Sequence, residues 1–314
     1  MYDILKKFGK VKVDEPLSKH TTFKLGGKAQ FFVSVDDIEK LGELLQYLDG
    51  EGVPYFVLGG GSNVVVSDDG YEGVVISIQA KNIQIENDSI IADAGCPTVT
   101  VARESFSHGF TGFEWGVGVP GTIGGAVRGN AGAMGGDMKD SVEKVLVYRD
   151  GEVVEIPNAE CDFQYRSSIF KREPIIILRV WLKLKKSGAG EKDGMKKALE
   201  YIQYRNTTQP QGFASSGCIF TNVQINEEVK KIIAGKEIPQ EFLEKKIIPA
   251  GWLIEQAGMK GYTQGNIQVS EKHANFIVNL GGGNASDVFQ VIDEIKTRVL
   301  EKFGIHLEEE VQIL

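Results

Sequence analysis

Gly116–Gly136, GVGVPGTIGGAVRGNAGAMGG, packs nine glycines into twenty-one residues and is broken by one charged side chain, Arg128. Glycine loses more backbone freedom on folding than any other residue, so such a segment needs compensation from outside itself. Two readings offer it. One is a run of tight turns in a β-rich domain. The other is a ligand drawn against bare backbone, whose amide N–H groups donate to anionic oxygens. Gly116-Val-Gly-Val-Pro-Gly121 also spells G-x-G-x-x-G, but a dinucleotide fingerprint needs a long amphipathic helix after it. The residues that follow, Thr-Ile-Gly-Gly-Ala-Val-Arg-Gly-Asn, are too glycine-rich to predict a stable helix.

Outward from that stretch the chain divides by pattern. On its N-terminal side, Phe31–Val35 reads as a strand, and Asp36 opens a helix with Glu39 at capping-box spacing. Ile38, Leu41, Leu44, Leu45 and Leu48 lie on one helical face, and Gly50 and Gly52 stop it. Tyr55–Leu58 is a second strand running into Gly59-Gly-Gly-Ser-Asn63, a second glycine loop, then Val64–Val66. This strand–helix–strand unit resembles a nucleotide-binding βαβ without the long helix after its loop. From Gly73 to Lys185 short strands dominate. Asp150-Gly151 between Val145–Tyr148 and Val153–Ile156 is a hairpin signal, and Thr98–His108 reads as a helix.

Beyond a small, polar boundary at residues 186–192, Lys192–Arg205 reads as a helix with Met195, Leu199 and Ile202 inward. Ile225–Ala234 and Asn284–Phe303 follow. In the latter, Val288, Ile292, Ile295 and Val299 form the buried face and Asn284 or Ser286 the cap. Glu310–Ile313 is a closing strand.

The 314 residues suit two or three domains. A net charge of −8 argues against a nucleic-acid binder, and no apolar run approaches the roughly 18 residues of a membrane span. The N-terminus is unlike a signal peptide. Cys96, Cys161 and Cys218 are widely spaced and read as reduced thiols, with no metal-ligand spacing. A cytoplasmic location is expected.

Glycine loops at Gly59–Asn63 and Gly116–Ala131 suggest one extended ligand with a diphosphate in its middle. Five motifs sharpen this. LGGGSNVVVSD at 58–68, GVPGTIGGAVRGNAGAMGG at 118–136, YRSSIF at 165–170, SSGCIF at 215–220, and AGWLIEQAGMKG at 250–261 with VSEKHANFIVN at 269–279 resemble the UDP-N-acetylenolpyruvoylglucosamine reductase (MurB) family. The resemblance runs in order from about His20 to the C-terminus, and the compact YRSSIF region is similar to the family's second type.

The resemblance implies an α+β fold. Its two-part FAD-binding domain is of the vanillyl-alcohol-oxidase type, at 1–75 and 76–190, with an α+β substrate domain at 191–314. It implies an FAD enzyme of peptidoglycan precursor synthesis, a monomer that holds its flavin noncovalently and takes a UDP-sugar. His20 and Cys96 are the conceivable anchors were the flavin covalent. NADPH reduces the flavin; the enolpyruvyl ether of UDP-N-acetylglucosamine then takes hydride at its terminal carbon. Charge on the neighbouring carbon spreads into the carboxylate until protonation yields the lactyl ether. Such chemistry needs a cationic clamp on the carboxylate and a positioned acid.

By the same resemblance, FAD falls to Leu58, Gly59, Gly60, Gly61, Ser62, Asn63, Gly118, Val119, Pro120, Gly121, Gly124, Gly125, Ala126, Asn130 and Ala131. Arg166 matches the clamp, although read alone it is a solvated strand arginine. Glu310 matches a proton-holding glutamate, although Glu308 and Glu309 make an acidic surface the plainer reading. Cys218 stands where the family usually has a serine as proton donor. A thiol, with an ordinary pKa of about 8.5, gives up a proton more readily than a hydroxyl; read alone it is a small buried apolar residue. Tyr165, Arg205, Asn222, Lys260 and Asn275 are the substrate candidates, with Thr221 and Val223 departing from the family's pattern beside Asn222. The alternatives are an FAD oxidase of the same fold and a noncatalytic flavin or nucleotide-sugar binder.

Overall fold

A computed structural model describes residues 1–186 and 191–314. The chain groups into two compact units, each drawn from several stretches of sequence. The first comprises Met1–Glu15, Ala29–Gly60 and Tyr71–Thr207; the second Pro16–Lys28, Gly61–Gly70 and Thr208–Leu314. The three-part division expected from sequence has its cuts elsewhere, at 75/76 and 190/191. The boundary expected around 186–192 falls largely on 187–190, outside the described residues.

The first unit opens with the βαβ pattern. Lys28–Val35 and Tyr55–Leu58 both pair in parallel with Tyr71–Ile78, which therefore lies between them. Helix Ile38–Gly50 buries Leu41, Leu44, Leu45 and Leu48 completely, together with the sheet's Val33, Val35, Val74 and Ile76. Its cap is Asp37, whose carboxylate accepts from Lys40 N–H at 2.9 Å, and not Asp36. The expected capping box does not form: Asp37 is the residue whose extended backbone precedes the first helical turn, and three residues on stands Lys40.

A second sheet of this unit orders Glu152–Pro157, Val142–Arg149, Ile176–Lys183, Ser89–Asp93 and Ile83–Glu86, antiparallel throughout. The hairpin turn at Asp150-Gly151 has both residues at positive φ, 51° and 84°. That is the backbone twist a two-residue antiparallel connection requires.

Helix Glu191–Thr208 closes this unit, and here the reading of its face is corrected. Met195, Leu199 and Ile202 are exposed, at 48%, 60% and 38%. The helix is instead applied through Gly194, Ala198 and Tyr201: Ala198 is buried, a side chain at Gly194 would meet Phe106, and half-buried Tyr201 packs on the core. Small residues permit close approach, so the apolar stripe did not mark the packed face.

The second unit is built on helix Ala285–Phe303 against the sheet Ala214–Cys218, Phe276–Asn279, Ile267–Val269 and Thr263–Gln264. Val288, Ile292, Ile295 and Val299 are buried as their spacing requires. The helix start is held twice. Asn284 accepts from Asp287 N–H at 2.7 Å, and the Asp68 carboxylate accepts from the amides of Ala285 and Ser286 at 2.9 and 3.0 Å. A carboxylate on unpaired amides at the positive end of a helix is favourable on both counts. The expected helix 225–234 is shorter, Glu227–Ile232, capped by Asn226. The closing strand is Gln312–Ile313, parallel to Val64–Val65. Among the described residues no helix is long and apolar enough to cross a membrane.

Candidate functional site

The two glycine loops meet within the first unit. An ideal Cβ on Gly60 would lie 2.6 Å from the Cα of Gly121, and one on Gly59 would lie 2.8 Å from Thr122 Oγ1. Backbone therefore touches backbone, and part of the glycine content is explained by packing of one loop on the other. Among the described residues no backbone carbonyl accepts from the N–H of Gly59 or Gly60. Gly59 and Gly60 are also exposed.

The segment after Gly121 does form a helix, contrary to the expectation from its glycine content, but a short one, Ile123–Arg128. Thr122 caps it, accepting from Gly125 N–H at 3.4 Å, and Ile123 N–H and Gly124 N–H bond to the carbonyls of Cys96 and Ala94. Tertiary bonds hold what propensity alone would not. The sequence signal for it is a threonine placed just before the apolar Ile123, an N-cap pattern. Arg205 reaches the same loop: its Cδ lies 2.5 Å from where a Gly118 Cβ would be. Leu58, Gly124, Ala126 and Asn130 are buried, while Val119, Gly121 and Ala131 are half-buried and Pro120 and Gly125 exposed.

Asn130 is 2% exposed and has φ of 42°. Its Nδ2 donates to Gln164 O at 2.8 Å and its Oδ1 accepts from Lys139 N–H at 3.0 Å, so its side-chain amide is engaged inside the fold and, contrary to the expectation from the resemblance, is not offered to a flavin. Arg166 sits at the tip of a tight turn whose ends, Gln164 and Ser167, exchange backbone bonds of 2.9 and 3.1 Å. Its φ is 54°, its Nη2 donates to Gly132 O at 2.8 Å, and its guanidinium lies 5.2 Å from the ring centroid of Tyr165. It is a fixed, half-buried cation and not a solvated strand residue.

In the second unit the other half of the first glycine loop gathers three further segments. Gly61, at φ 62°, is pressed on the His20 carbonyl, which would be 2.0 Å from a Cβ there. Thr22 N–H donates to Gly61 O at 2.9 Å and Thr22 Oγ1 donates to Ser215 O at 2.7 Å. Asn63 Nδ2 donates to Glu310 O at 3.2 Å, and Glu310 N–H donates to Ile219 O at 2.8 Å. Glu310 and Cys218 therefore both flank Ile219. Ser62, half-buried, has its carbonyl 3.9 Å from the Cβ position of Gly217.

Cys218 ends the strand Ala214–Cys218 after a break in register. Ser215 pairs with Val278, yet Cys218 pairs with Phe276, and Gly217 between them has φ of 81°. A bulge re-aims the side chains around it. The Ser216 hydroxyl beside the bulge is buried with no hydrogen-bond partner among the described residues. Cys218 is half-buried, whereas Cys96 and Cys161 are buried, and burial first, then the charges of Asp93 and Glu160 respectively, pushes both thiols up to about 12. Those two are held as inert thiols.

Asn275 and Asn222 are spent on the scaffold. Asn275 accepts from Phe220 N–H at 2.9 Å and donates to Phe220 O at 2.8 Å. Asn222 Oδ1 accepts from Ala250 N–H at 3.0 Å, serving the start of helix Ala250–Gln256. Lys260, exposed, pairs with Glu255 at 2.9 Å.

His273 supplies a pH-dependent prediction. Burial holds it below the ordinary imidazole value, with the Lys260 charge acting the same way, and its Nδ1 accepts from Asn275 N–H at 3.3 Å. The folded form thus binds its proton less readily than the unfolded one. The contribution to stability is complete above a pH of about 6.5 and is lost as pH falls below it. Urea midpoints of wild type should drop between pH 7.5 and 5.5, and His273→Gln should show a smaller drop; equal drops would remove His273 as the cause.

Comparison with known proteins bears on both units. Residues 29–157 match the model of an FAD binding domain, and residues 209–314 match the model of the C-terminal domain of UDP-N-acetylenolpyruvoylglucosamine reductase. The chain is similar to the UDP-N-acetylenolpyruvoylglucosamine reductase of Caldanaerobacter subterraneus subsp. tengcongensis, 38% identical over 99% of this chain and 96% of the relative. It is 34% identical to that of Bacillus subtilis, over 98% and 95%. The crystal structure of the Thermus caldophilus enzyme (MurB) superposes with a TM-score of 0.75 at 31% identity, covering 97% of this chain and 98% of that one.

Proposed function

This chain belongs to the UDP-N-acetylenolpyruvoylglucosamine reductase family, and we propose on that premise that it performs the NADPH-driven reduction of UDP-N-acetylglucosamine enolpyruvate to UDP-N-acetylmuramate. It acts in peptidoglycan precursor synthesis, as a cytoplasmic monomer serving cell-wall growth, cell shape and division. Residues 1–75 and 76–190 are assigned to the flavin and 191–314 to the UDP-sugar.

The residues present suit FAD. The observation that carries the reading is the Gly60–Gly121 contact, with exposed amides at Gly59 and Gly60 from which, among the described residues, no backbone carbonyl accepts. A donor set of amides and small hydroxyls is the chemistry a diphosphate requires. Leu58–Asn63 with Gly118–Gly121, Gly124–Ala126 and Ala131 would hold it noncovalently. Bound FAD supplies a two-electron carrier between NADPH and the enolpyruvyl carbon.

The chain's own residues do the rest. Arg166, fixed by Gly132 O and its left-handed backbone, clamps the substrate carboxylate as charge moves into it. Cys218 gives a proton to the carbon beside that carboxylate. Glu310, whose backbone N–H donates to Ile219 O, holds the replacement proton. Tyr165, Arg205 and Lys260 serve the UDP-sugar, and Asn222 and Asn275 set the backbone at Ala250 and Phe220 behind it.

Steady-state assay tests the reading. NADPH oxidation should require the enolpyruvyl sugar nucleotide, with acid precipitation releasing all flavin to the supernatant. Oxygen uptake without that substrate would indicate an oxidase, and a yellow protein inert to NADPH would indicate a binder.

A further inference from the structure

We propose that Asn130 is a positioning residue for Arg166: its side chain ties the glycine-rich segment to the Tyr165-Arg166 turn and so sets where the guanidinium stands. The inference rests on the reading of Arg166 as the carboxylate clamp.

Three hydrogen bonds join alternate residues of one segment to the turn. Ser168 Oγ donates to Arg128 O at 2.6 Å, Asn130 Nδ2 to Gln164 O at 2.8 Å, and Arg166 Nη2 to Gly132 O at 2.8 Å. Asn130 is the member whose bond reaches the turn's first corner, and its Oδ1 is anchored at Lys139 N–H. The turn has left-handed backbone at Arg166, φ 54°, and Asp162 upstream has φ 41°. Non-glycine residues hold such angles only when their surroundings over-determine them. Asn130 is itself at φ 42°, a conformation asparagine tolerates better than other side chains. A buried amide satisfied on both sides, in that conformation, is a device for fixing two backbones relative to each other.

The consequence is specific to one half of the reaction. Removing the tie leaves Arg166 in the chain but lets its fork move, and a misplacement of about 1 Å costs on the order of 100-fold in rate. Reduction by NADPH does not use the clamp and should be untouched.

The test uses the purified holoenzyme and Asn130→Gly, which removes the side chain while tolerating the positive φ. Flavin content and the rate of bleaching by NADPH should match wild type. Reoxidation by the enolpyruvyl substrate should fall roughly 10- to 100-fold, and calorimetry should show weaker binding of UDP-N-acetylmuramate. In an Arg166→Ala background Asn130→Gly should add little, since a residue acting through another has nothing left to position. Asn130→Asp, which keeps the Lys139 acceptor and tolerates the same φ but loses the Gln164 donor, should show the same pattern and stands in if the glycine variant does not fold. Wild-type reoxidation in both variants, losses that multiply with Arg166→Ala, or loss of flavin would each overturn the proposal. If Arg166→Ala alone leaves reoxidation unchanged, the clamp reading fails first and takes this inference with it.

Discussion

Cys218→Ala is expected to leave a yellow protein that NADPH bleaches normally and that the enolpyruvyl substrate no longer reoxidises at a useful rate. A positioned proton donor is typically worth about 100- to 10,000-fold, so the loss falls on one half-reaction and is easily resolved by anaerobic stopped flow. Cys218→Ser should retain substantial activity, because a hydroxyl in the same place can also donate. The structure gives the residue a setting that its two counterparts lack. Cys96 and Cys161 are buried, with their thiols pushed up to about 12, while Cys218 is half-buried behind a register break and flanks Ile219 together with Glu310. Equal reoxidation rates in the alanine variant and wild type would remove Cys218 from the mechanism and return it to the role of a small packing residue.

Gly60→Ala should damage the contact between the two glycine loops directly. The added Cβ would stand 2.6 Å from Gly121 Cα and 3.2 Å from its carbonyl carbon, which are backbone atoms with no freedom to swing aside. Overpacking of this kind costs about 1–3 kcal/mol, and any relief must come from parting the two loops. Flavin should therefore be lost at a dilution where wild type keeps it, along with a lower thermal midpoint. Gly50→Ala is the control. It ends helix Ile38–Gly50 with nothing within 4 Å of the added methyl, and should be neutral or slightly stabilising. A Gly60→Ala protein that keeps both flavin and stability would show that the loops are not locked together.

Periodicity read the fold well where one face of an element is buried by large side chains. The leucines of helix Ile38–Gly50 and the aliphatic stripe of helix Ala285–Phe303 are examples, as is the Asp150-Gly151 hairpin. It failed at helix Glu191–Thr208, where contact is made through Gly194, Ala198 and Tyr201 and the large apolar residues Met195, Leu199 and Ile202 stay exposed. A face built largely on small residues carries little hydrophobic signal. The candidate site was legible as a set of motifs but not as a division of labour. Asn130, Asn222 and Asn275 look alike in sequence to residues that bind ligands, yet each spends its amide on backbone. Whether an asparagine faces a ligand or a carbonyl depends on partners distant in sequence, such as Gln164 for Asn130 or Phe220 for Asn275. The glycines of 59–61 carried a signal for close approach, and the structure supplies the partners: Thr122, Gly121 and the His20 carbonyl.

On the proposed reading, amides of two touching glycine loops hold a flavin which the enolpyruvyl sugar nucleotide discharges. The visible spectrum of the purified protein, followed anaerobically through one cycle, tests this. An oxidised flavin band is expected that NADPH bleaches and that UDP-N-acetylglucosamine enolpyruvate then restores in full. A colourless protein that takes up no added FAD, or a bleached flavin indifferent to that substrate, would contradict it.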